Sequence, residues 1–595
     1  MIILLRTLEI AEEPLIQRLY ERLLATQETN GSWKVFYDEE DGNLSATVEA
    51  YYAILYSGYS GETDEHVKLA KRFIISKGGL ANINGILTKV MLAATGHYPW
   101  PTSLMIPLSF LLLPSSFPIN FFDFSGYARV HMAPMLLMAD RRFIKKTALS
   151  PNLSDLIMPQ SSSRWEVFNS FAPNQSPRDL QTLIEKIKSG ISSLSGFPGY
   201  NQAAAVRRAE QYMLERIEPD GTLYGYATCT ILMILALISI GYDKQHPVIA
   251  NAVQGLKSML CEKDGKVFLQ NSPSAVWDTA LLSYTLQKAG MAPSSNMIRK
   301  ASSYLLSKQQ SKWGDWKIHN LNTVPGGWGF SDTNTINPDV DDTTAALRAI
   351  SRMTQSDPAF RGAWNRGLNW ILSMQNKDGG WPAFEKNTDH EILTWLPIDG
   401  AKWAAIDPST ADLTGRTLEF LANTAGLGSH HAFVRRGVDW LINHQELDGS
   451  WYGRWGICYI YGTWAALTGM ISAGINLNHS AILKGTRWLI SIQNRDGGWG
   501  ESCKSDWDMH YHALGASTPS QTAWALDALI TAHAAPIPEI NKGIQRLIEL
   551  MHEEDWKMKY PTGAGLPGIF YVHYHSYRYI WPLLALSHYR SKYVT

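Results

Sequence analysis

The chain has 595 residues, with 53 Lys+Arg against 54 Asp+Glu and a formal charge of -1. An apolar content of 45%, carrying 22 Trp, 26 Tyr and 18 Phe, excludes a disordered chain, because so much ring surface can close a large core. Balanced charge leaves no electrostatic footprint for a nucleic acid, and four Cys without a Cys-x-x-Cys pair argue against a disulfide framework or zinc cluster and for a reducing compartment.

In chain order, the opening MIILLRTLEIAEE turns acidic after five residues and lacks the apolar stretch and small-residue site of a signal peptide. A loose repeat unit follows at YERLLATQETNGSW (Tyr20–Trp33). The most apolar run, Leu104–Leu113, contains Pro107 and is too short to span a bilayer, so the chain is not expected to cross a membrane, and a place on its surface stays open. A second loose unit occupies Lys300–Trp316, and three closely similar ones occupy Arg366–Trp381, Arg436–Trp451 and Lys484–Trp499. In these three, Leu368, Ile371, Leu372 and Gln375, and their counterparts ending in Gln445 and Gln493, share the i, i+3, i+4, i+7 spacing of one helix face. A Gly then ends the helix, and a Trp six residues after each Gln folds back onto it. Steps of 70 residues from Gln375 to Gln445 and 48 from Gln445 to Gln493 leave room for a further helix per unit. Repeated helix pairs build a solenoid or a closed α/α barrel, so the fold class is all-α, and the Gln and Trp side chains are read as structural ties.

The densest acidic group is Asp339-Val340-Asp341-Asp342, ahead of helically spaced Ala346, Leu347, Ile350 and Met353 and near the loop Gly326–Phe330. One Asp at that position is an ordinary N-cap. Three within four positions cannot all ionise, so the group retains a proton to higher pH, as a proton donor requires. The helix dipole opposes this by only about 0.3–1 kcal/mol. A magnesium site of the Asp-Asp-x-x-Asp type does not fit, because Ala345 stands where the last Asp would be. His573 and His575 are two residues apart among tyrosines, a poor zinc site, and no metal is expected there.

The Asp-x-Asp-Asp group and the Gln…Gly-x-Trp units together resemble squalene–hopene cyclases, the class II triterpene cyclases. Further matching segments are Val276-Trp277-Asp278-Thr279, Pro325–Phe330, Gly453–Trp464, Gly497–Cys503 and Ser517–Leu526. The resemblance implies two α/α barrels, the second inserted into the first, with a central apolar cavity between them: residues 1–35 plus 273–595 as the catalytic barrel and 36–272 as the insertion. It implies acid-initiated cationic cyclisation of a long neutral polyprene to a polycyclic terpenol, with no cofactor and no metal. Such enzymes are monotopic, so the expected place is the cytoplasmic face of the cell membrane, with Leu104–Pro118 and the Trp395-Leu396-Pro397 loop as contacts, and with a homodimer among the allowed assemblies. Packing into the core is the rival reading of both segments. Carried over by motif, Asp341 is the proton donor, Asp339 and Asp342 are its partners, and Asp412 and Arg416 belong to the surrounding network. Trp277, Phe330, Phe384, Trp455, Tyr461, Leu566, Phe570, Tyr574, Tyr577 and Tyr127 would line the cavity, where ring faces, each worth about 0.5–2 kcal/mol when dry, hold cations without trapping them. Core packing remains the plainer reading of any single ring.

Four positions depart from the hopene-forming pattern. Arg416 stands in place of a His, Phe384 in place of a Tyr, Tyr127 in place of a Trp and Leu566 in place of a Phe. These departures resemble the sesquarterpene cyclases of the sporulenol synthase type, which take tetraprenyl-β-curcumene and also squalene. Because Arg keeps its proton, Arg416 is expected to pair with Asp412 or Asp339 and to leave Asp341 protonated. The alternatives are a squalene–hopene cyclase making hopene or hopanol, a copalyl-type diterpene cyclase, an α/α-barrel carbohydrate enzyme and a helical-repeat scaffold.

Overall fold

The computed structural model describes residues 1–101, 106–158, 185, 187, 189–192, 201–395, 401–566 and 570–594. Helices dominate, as the all-α expectation requires. Among the described residues the named strands form two antiparallel hairpins, Leu260–Lys263 with Lys266–Leu269 and Gly563–Leu566 with Phe570–Val572. The chain divides into two compact units. One holds Met1–Val35, Glu39–Pro273 and His390–Ile406, and the other holds Phe36–Asp38, Ser274–Asp389 and Asp407–Thr595. This grouping differs from the expected 1–35 plus 273–595. The helices Ile2–Thr7 and Glu13–Leu24 bury Ile2, Leu4, Leu5, Ile16 and Leu19 and pack on Leu44–Ser57, which draws the N-terminal segment into the first unit.

In the second unit six helices close into a ring. Ala275–Lys288 packs on Val340–Ile350, which packs on Ala411–Asn423, then Tyr459–Ser472, Pro519–Ala532 and Tyr577–Tyr589, which returns to Ala275–Lys288. Outside it run Asn296–Lys308, Pro358–Ser373, Ala432–Asn443, Ser480–Ser491 and Pro538–Leu550, each packed on inner helices. Composition separates the two layers. Every residue from Tyr459 to Met470 is buried, whereas Ala432–Asn443 buries Val434, Val438, Trp440 and Leu441 and exposes Arg435, Arg436 and Asp439. An all-round apolar helix must be enclosed, and a one-faced helix belongs at the surface.

The Gln and Trp residues are the joints of this barrel. Gln375 Nε2 donates to Gly379 O (2.7 Å), in its own turn, and to Phe433 O (2.8 Å), in the first turn of the next outer helix. Gln445 and Gln493 repeat the pattern on Gly449 and Ala481 and on Gly497 and Glu539. The indoles of Trp381, Trp451 and Trp499 cap the end of the preceding helix, donating Nε1–H to Ile371, Leu441 and Leu489. The repeat glycines sit in the turn beyond the helix end, with Gly379 at φ 102°. A Cβ there would meet the Arg436 carbonyl of the next unit, so both the dihedral and the close approach demand Gly. The unit at Lys300–Trp316 is corrected: Gln309 bonds Gly326 O and Ala363 O, and the capping ring is Trp328, whose Nε1 reaches Leu305 O.

The first unit has a core around Val48, Tyr51, Tyr52, Ile54, Ile74 and Leu80. Its turn Leu108–Leu112 packs on Gln202–Leu214 and buries Leu108, Phe110 and Leu111, so these side chains serve the core. Leu104, Leu396 and Pro397 lie outside the described residues, as does the Trp395 side chain. Among the described residues no helix is long and apolar enough to cross a membrane.

Candidate active site

The acidic group opens the inner helix Val340–Ile350. Asp339 is its N-cap: Oδ1 accepts from Asp342 N (2.7 Å), while Asp339 N donates to Trp328 O (2.9 Å), which fastens the acidic turn to the Gly-Gly-Trp loop. Asp339 and Asp342 are 7% and 2% exposed, whereas the Asp341 side chain keeps 15%. Burial is the leading force on both enclosed acids. It pushes Asp339 up to about 7 against the pull of its hydrogen bonds, and the charge of Asp341 adds to it. Asp342 stands well above the carboxylate range through burial first and then the charge of Asp339. The group therefore stores a proton between Asp339 and Asp342 near neutrality.

Arg416 corrects the expectation drawn from the sequence. Its Nε donates to Asp341 Oδ1 at 2.6 Å, and it pairs with neither Asp412 nor Asp339. Asp412 is already satisfied: Oδ1 accepts from Leu413 N (2.9 Å) and Oδ2 from Trp455 N (2.8 Å). The guanidinium lies 5.3–5.5 Å from the ring centres of Trp277, Trp464 and Trp581. Burial opposes its charge, but the Asp341 carboxylate and Tyr461 raise it above the ordinary arginine value, so it is a fixed cation. Arg348 donates to the Arg416 carbonyl and to Glu419 Oε2 (3.1 Å), steadying the helix that presents it. Among the described residues no hydrogen bond occupies Asp341 Oδ2, the oxygen opposite Arg416.

The expected cavity residues of this unit fall into two groups. Phe330 meets Tyr574 (6.1 Å), Tyr574 stacks on Tyr577 (4.3 Å, 16°), and the Tyr577 hydroxyl accepts from Trp277 Nε1 (3.1 Å). Trp524 joins Tyr577 to Tyr461 at 6.1 and 4.7 Å. Burial above all, then neighbouring charges that include Asp341, holds the hydroxyls of Tyr461, Tyr574 and Tyr577 well above the phenol range. The second group is Phe384 edge-on to Trp455 (5.7 Å). Phe330, Phe384, Trp455, Phe570 and Tyr574 all keep partly open faces. Phe570 covers Gly565, and Tyr461 lies over Gly456, where in each case a Cβ would strike the ring. Leu566 pairs with Phe570 in the hairpin, but its side chain lies outside the description. Tyr127 belongs to the other unit, where its ring contacts His131 (4.5 Å) and Tyr226 (5.5 Å).

Several supporting residues escaped the sequence reading. Asp407 accepts from the backbone N–H groups of Ala383, Phe384 and Glu385, which sets the Phe384 loop. Glu501 accepts from Cys458, Tyr459 and Ile460, capping the helix that carries Tyr461 and Trp464. Asp527 takes Trp464 Nε1–H at 2.8 Å and is paired with His588 at 2.6 Å. Asp278 accepts from Ser274 and Ser576 and ties the starts of two inner helices. The segments Val276–Thr279 and Gly497–Cys503 already contain Asp278 and Glu501, but not their contacts.

Residues 1–265 match the squalene-hopene cyclase N-terminal domain and residues 273–591 the squalene-hopene cyclase C-terminal domain. Over 97% of this chain and 89% of the relative, the sequence is 48% identical to sporulenol synthase of Bacillus subtilis. It is 35% identical to a squalene–hopene cyclase of Alicyclobacillus acidocaldarius, over 99% of this chain and 92% of that one. In fold it is similar to ent-copalyl diphosphate synthase from Streptomyces platensis, with a TM-score of 0.51 at 14% identity, covering 99% and 94% of the two chains. With both domains matched and an acid-opened inner helix in the second, the chain belongs to the squalene–hopene cyclase family.

Proposed function

We propose that this enzyme cyclises a long neutral polyprene by protonating a terminal double bond from Asp341. The observation that carries the reading is the division of labour among the acids. Asp339 and Asp342 store a proton, and Asp341 alone combines a partly open oxygen with a caged guanidinium on its other oxygen. The three carboxyls share one acidic turn, so the stored proton can pass within the group to Asp341 Oδ2, where the alkene π pair takes it. The O–H electrons stay on the carboxylate, and Arg416 already stands against the anion that forms. The stabilisation is therefore in place before the charge appears. The tertiary cation is then attacked by the next double bond in the folded chain. Ring faces of the Trp277–Tyr577 and Phe384–Trp455 groups attract the moving charge without trapping it. Pre-folding the substrate supplies the rest of the rate by removing orientational freedom.

Tetraprenyl-β-curcumene is the proposed preferred substrate, with squalene as a second. Arg416, Phe384 and Leu566, together with 48% identity to sporulenol synthase against 35% to a squalene–hopene cyclase, support this choice. Action at the cytoplasmic membrane face belongs to the same proposal, because such substrates partition into lipid. The test incubates the purified enzyme with each polyene in the presence of a chelator and identifies products by mass spectrometry. Faster turnover of tetraprenyl-β-curcumene, with a bicyclic alcohol from squalene, is expected. Pentacyclic hopene as the main squalene product would reject the substrate choice, and activity only with added magnesium and a diphosphate would reject the reaction class.

A further inference from the structure

A second cluster of potential ligands, away from the acidic group, lies at the end of the short helix Lys504–Asp508 and on the residues that follow it. Asp508, His510 and His512 each bring one ligand atom to within 4.8 Å of the others. We propose that these three residues form a binding site for a divalent transition-metal ion of the zinc class. Two imidazoles and a carboxylate are a donor set that such borderline ions favour over calcium or magnesium, and three protein ligands leave a position for water.

The backbone builds this arrangement before any ion arrives. Met509 adopts a left-handed conformation, φ 53° and ψ 37°, which is costly for a residue with a Cβ. Met509 is 40% exposed, so burial does not explain the turn; the turn brings the Asp508 carbonyl to His510 Nδ1. Tyr511 packs edge-on against Trp488 (5.4 Å), while the rings of His510 and His512 stand with their centres 4.2 Å apart. Ala513 bridges antiparallel to Glu501, and the piece is pinned to the segment around Gly500–Ser505. His512 N donates to Ser505 Oγ (2.8 Å), Ser502 N to His512 O (2.9 Å) and Leu514 N to Gly500 O (3.1 Å).

Hydrogen bonding also selects the ligand nitrogens. His510 Nδ1 lies 3.1 Å from the Asp508 carbonyl oxygen, which can only accept. Nδ1 therefore carries the proton and Nε2 is the bare nitrogen, the orientation that metal-binding histidines commonly take from a neighbouring carbonyl. His512 Nε2 lies 2.7 Å from Asp508 Oδ2, so the carboxylate and the second imidazole already converge, and an ion taken by this nitrogen displaces the proton shared there. Around an ion with bonds of about 2.0–2.2 Å, ligand atoms sit about 3–3.5 Å apart. The remaining closure is within reach of side-chain rotation at a partly exposed site. A bound ion would replace the His512–Asp508 contact and tie the end of the Lys504–Asp508 helix to the two histidines that follow it.

The experiment uses full-length, tag-free protein stripped with chelator and titrated with ZnCl2 by calorimetry and with CoCl2 by visible absorption. One equivalent of Zn2+ is expected, with a cobalt d–d spectrum of a nitrogen- and oxygen-ligated ion. His510→Gln and His512→Gln should each weaken binding at least about 100-fold, beyond the loss typical of an outer-shell change. Metal-free thermal unfolding of the variants should match that of the parent, which separates ligand loss from misfolding. Binding unchanged in both variants would place the ion at another of the histidines and overturn the proposal, as would the absence of a stoichiometric equivalent. Neither outcome bears on the cyclisation chemistry.

Discussion

Asp341→Asn should abolish polyprene turnover, by at least about 10⁴-fold, the upper range for loss of a positioned acid. The amide keeps the shape of the carboxyl and can still accept from Arg416 Nε through Oδ1, so the fold should survive. It has no acidic proton to give. Thermal unfolding within a few degrees of the parent, alongside product loss, separates this from collapse of the site. A scaffold or a carbohydrate enzyme would be indifferent to the change. The pH dependence of the parent follows from the same group. Asp339 has its folded value raised to about 7, chiefly by burial, so its proton is held below that pH and lost as pH rises through it. Turnover should decline above about pH 7 and not below it. The stability associated with this raised carboxyl should fall in the same direction.

The second large effect is expected at Arg416. Arg416→Met removes the counter-charge of Asp341 and leaves three carboxyls together in the buried turn. Breaking a buried pair from one side typically costs about 3–5 kcal/mol, and losing a preorganised charge at the reacting group costs about 10²–10³ in rate. Unfolding in denaturant and product assays should therefore both drop. Arg416→Lys separates the two contributions. It keeps a positive charge for Asp341 but cannot lie flat among the rings of Trp277, Trp464 and Trp581. Partial recovery of rate with most of the stability loss remaining is the expected outcome. Parent-like rates in Arg416→Met would mean that the anion of Asp341 needs no guanidinium.

Much of the architecture was readable because it is written locally. The Gln face of each repeat helix, the glycine of the following turn and the Trp six residues on are short-range patterns, and their hydrogen bonds close over the same short range. Trp328 escaped because a long insertion separates it from Gln309, and the nearer Trp316 mimicked the motif. The partner of Arg416 is a different matter: the expectation of Asp412 or Asp339 rests on keeping Asp341 protonated, yet the Asp412 oxygens are taken by the backbone N–H groups of Leu413 and Trp455. Whether a carboxylate is already satisfied is a tertiary property. So is the service of Asp407 and Glu501, each of which meets three backbone donors on a remote segment. The acidic motif announced the chemistry, and the fold decided which oxygen faces the guanidinium.

The central claim is that solvent-derived hydrogen stored by the three aspartates becomes bonded to carbon in the first step. Its most direct test is turnover of tetraprenyl-β-curcumene in D2O, followed by back-exchange of hydroxyls in H2O and mass spectrometry. The account predicts a product with deuterium on the carbon first protonated, in parent enzyme and not in Asp341→Asn. Cyclised product free of carbon-bound deuterium would contradict it.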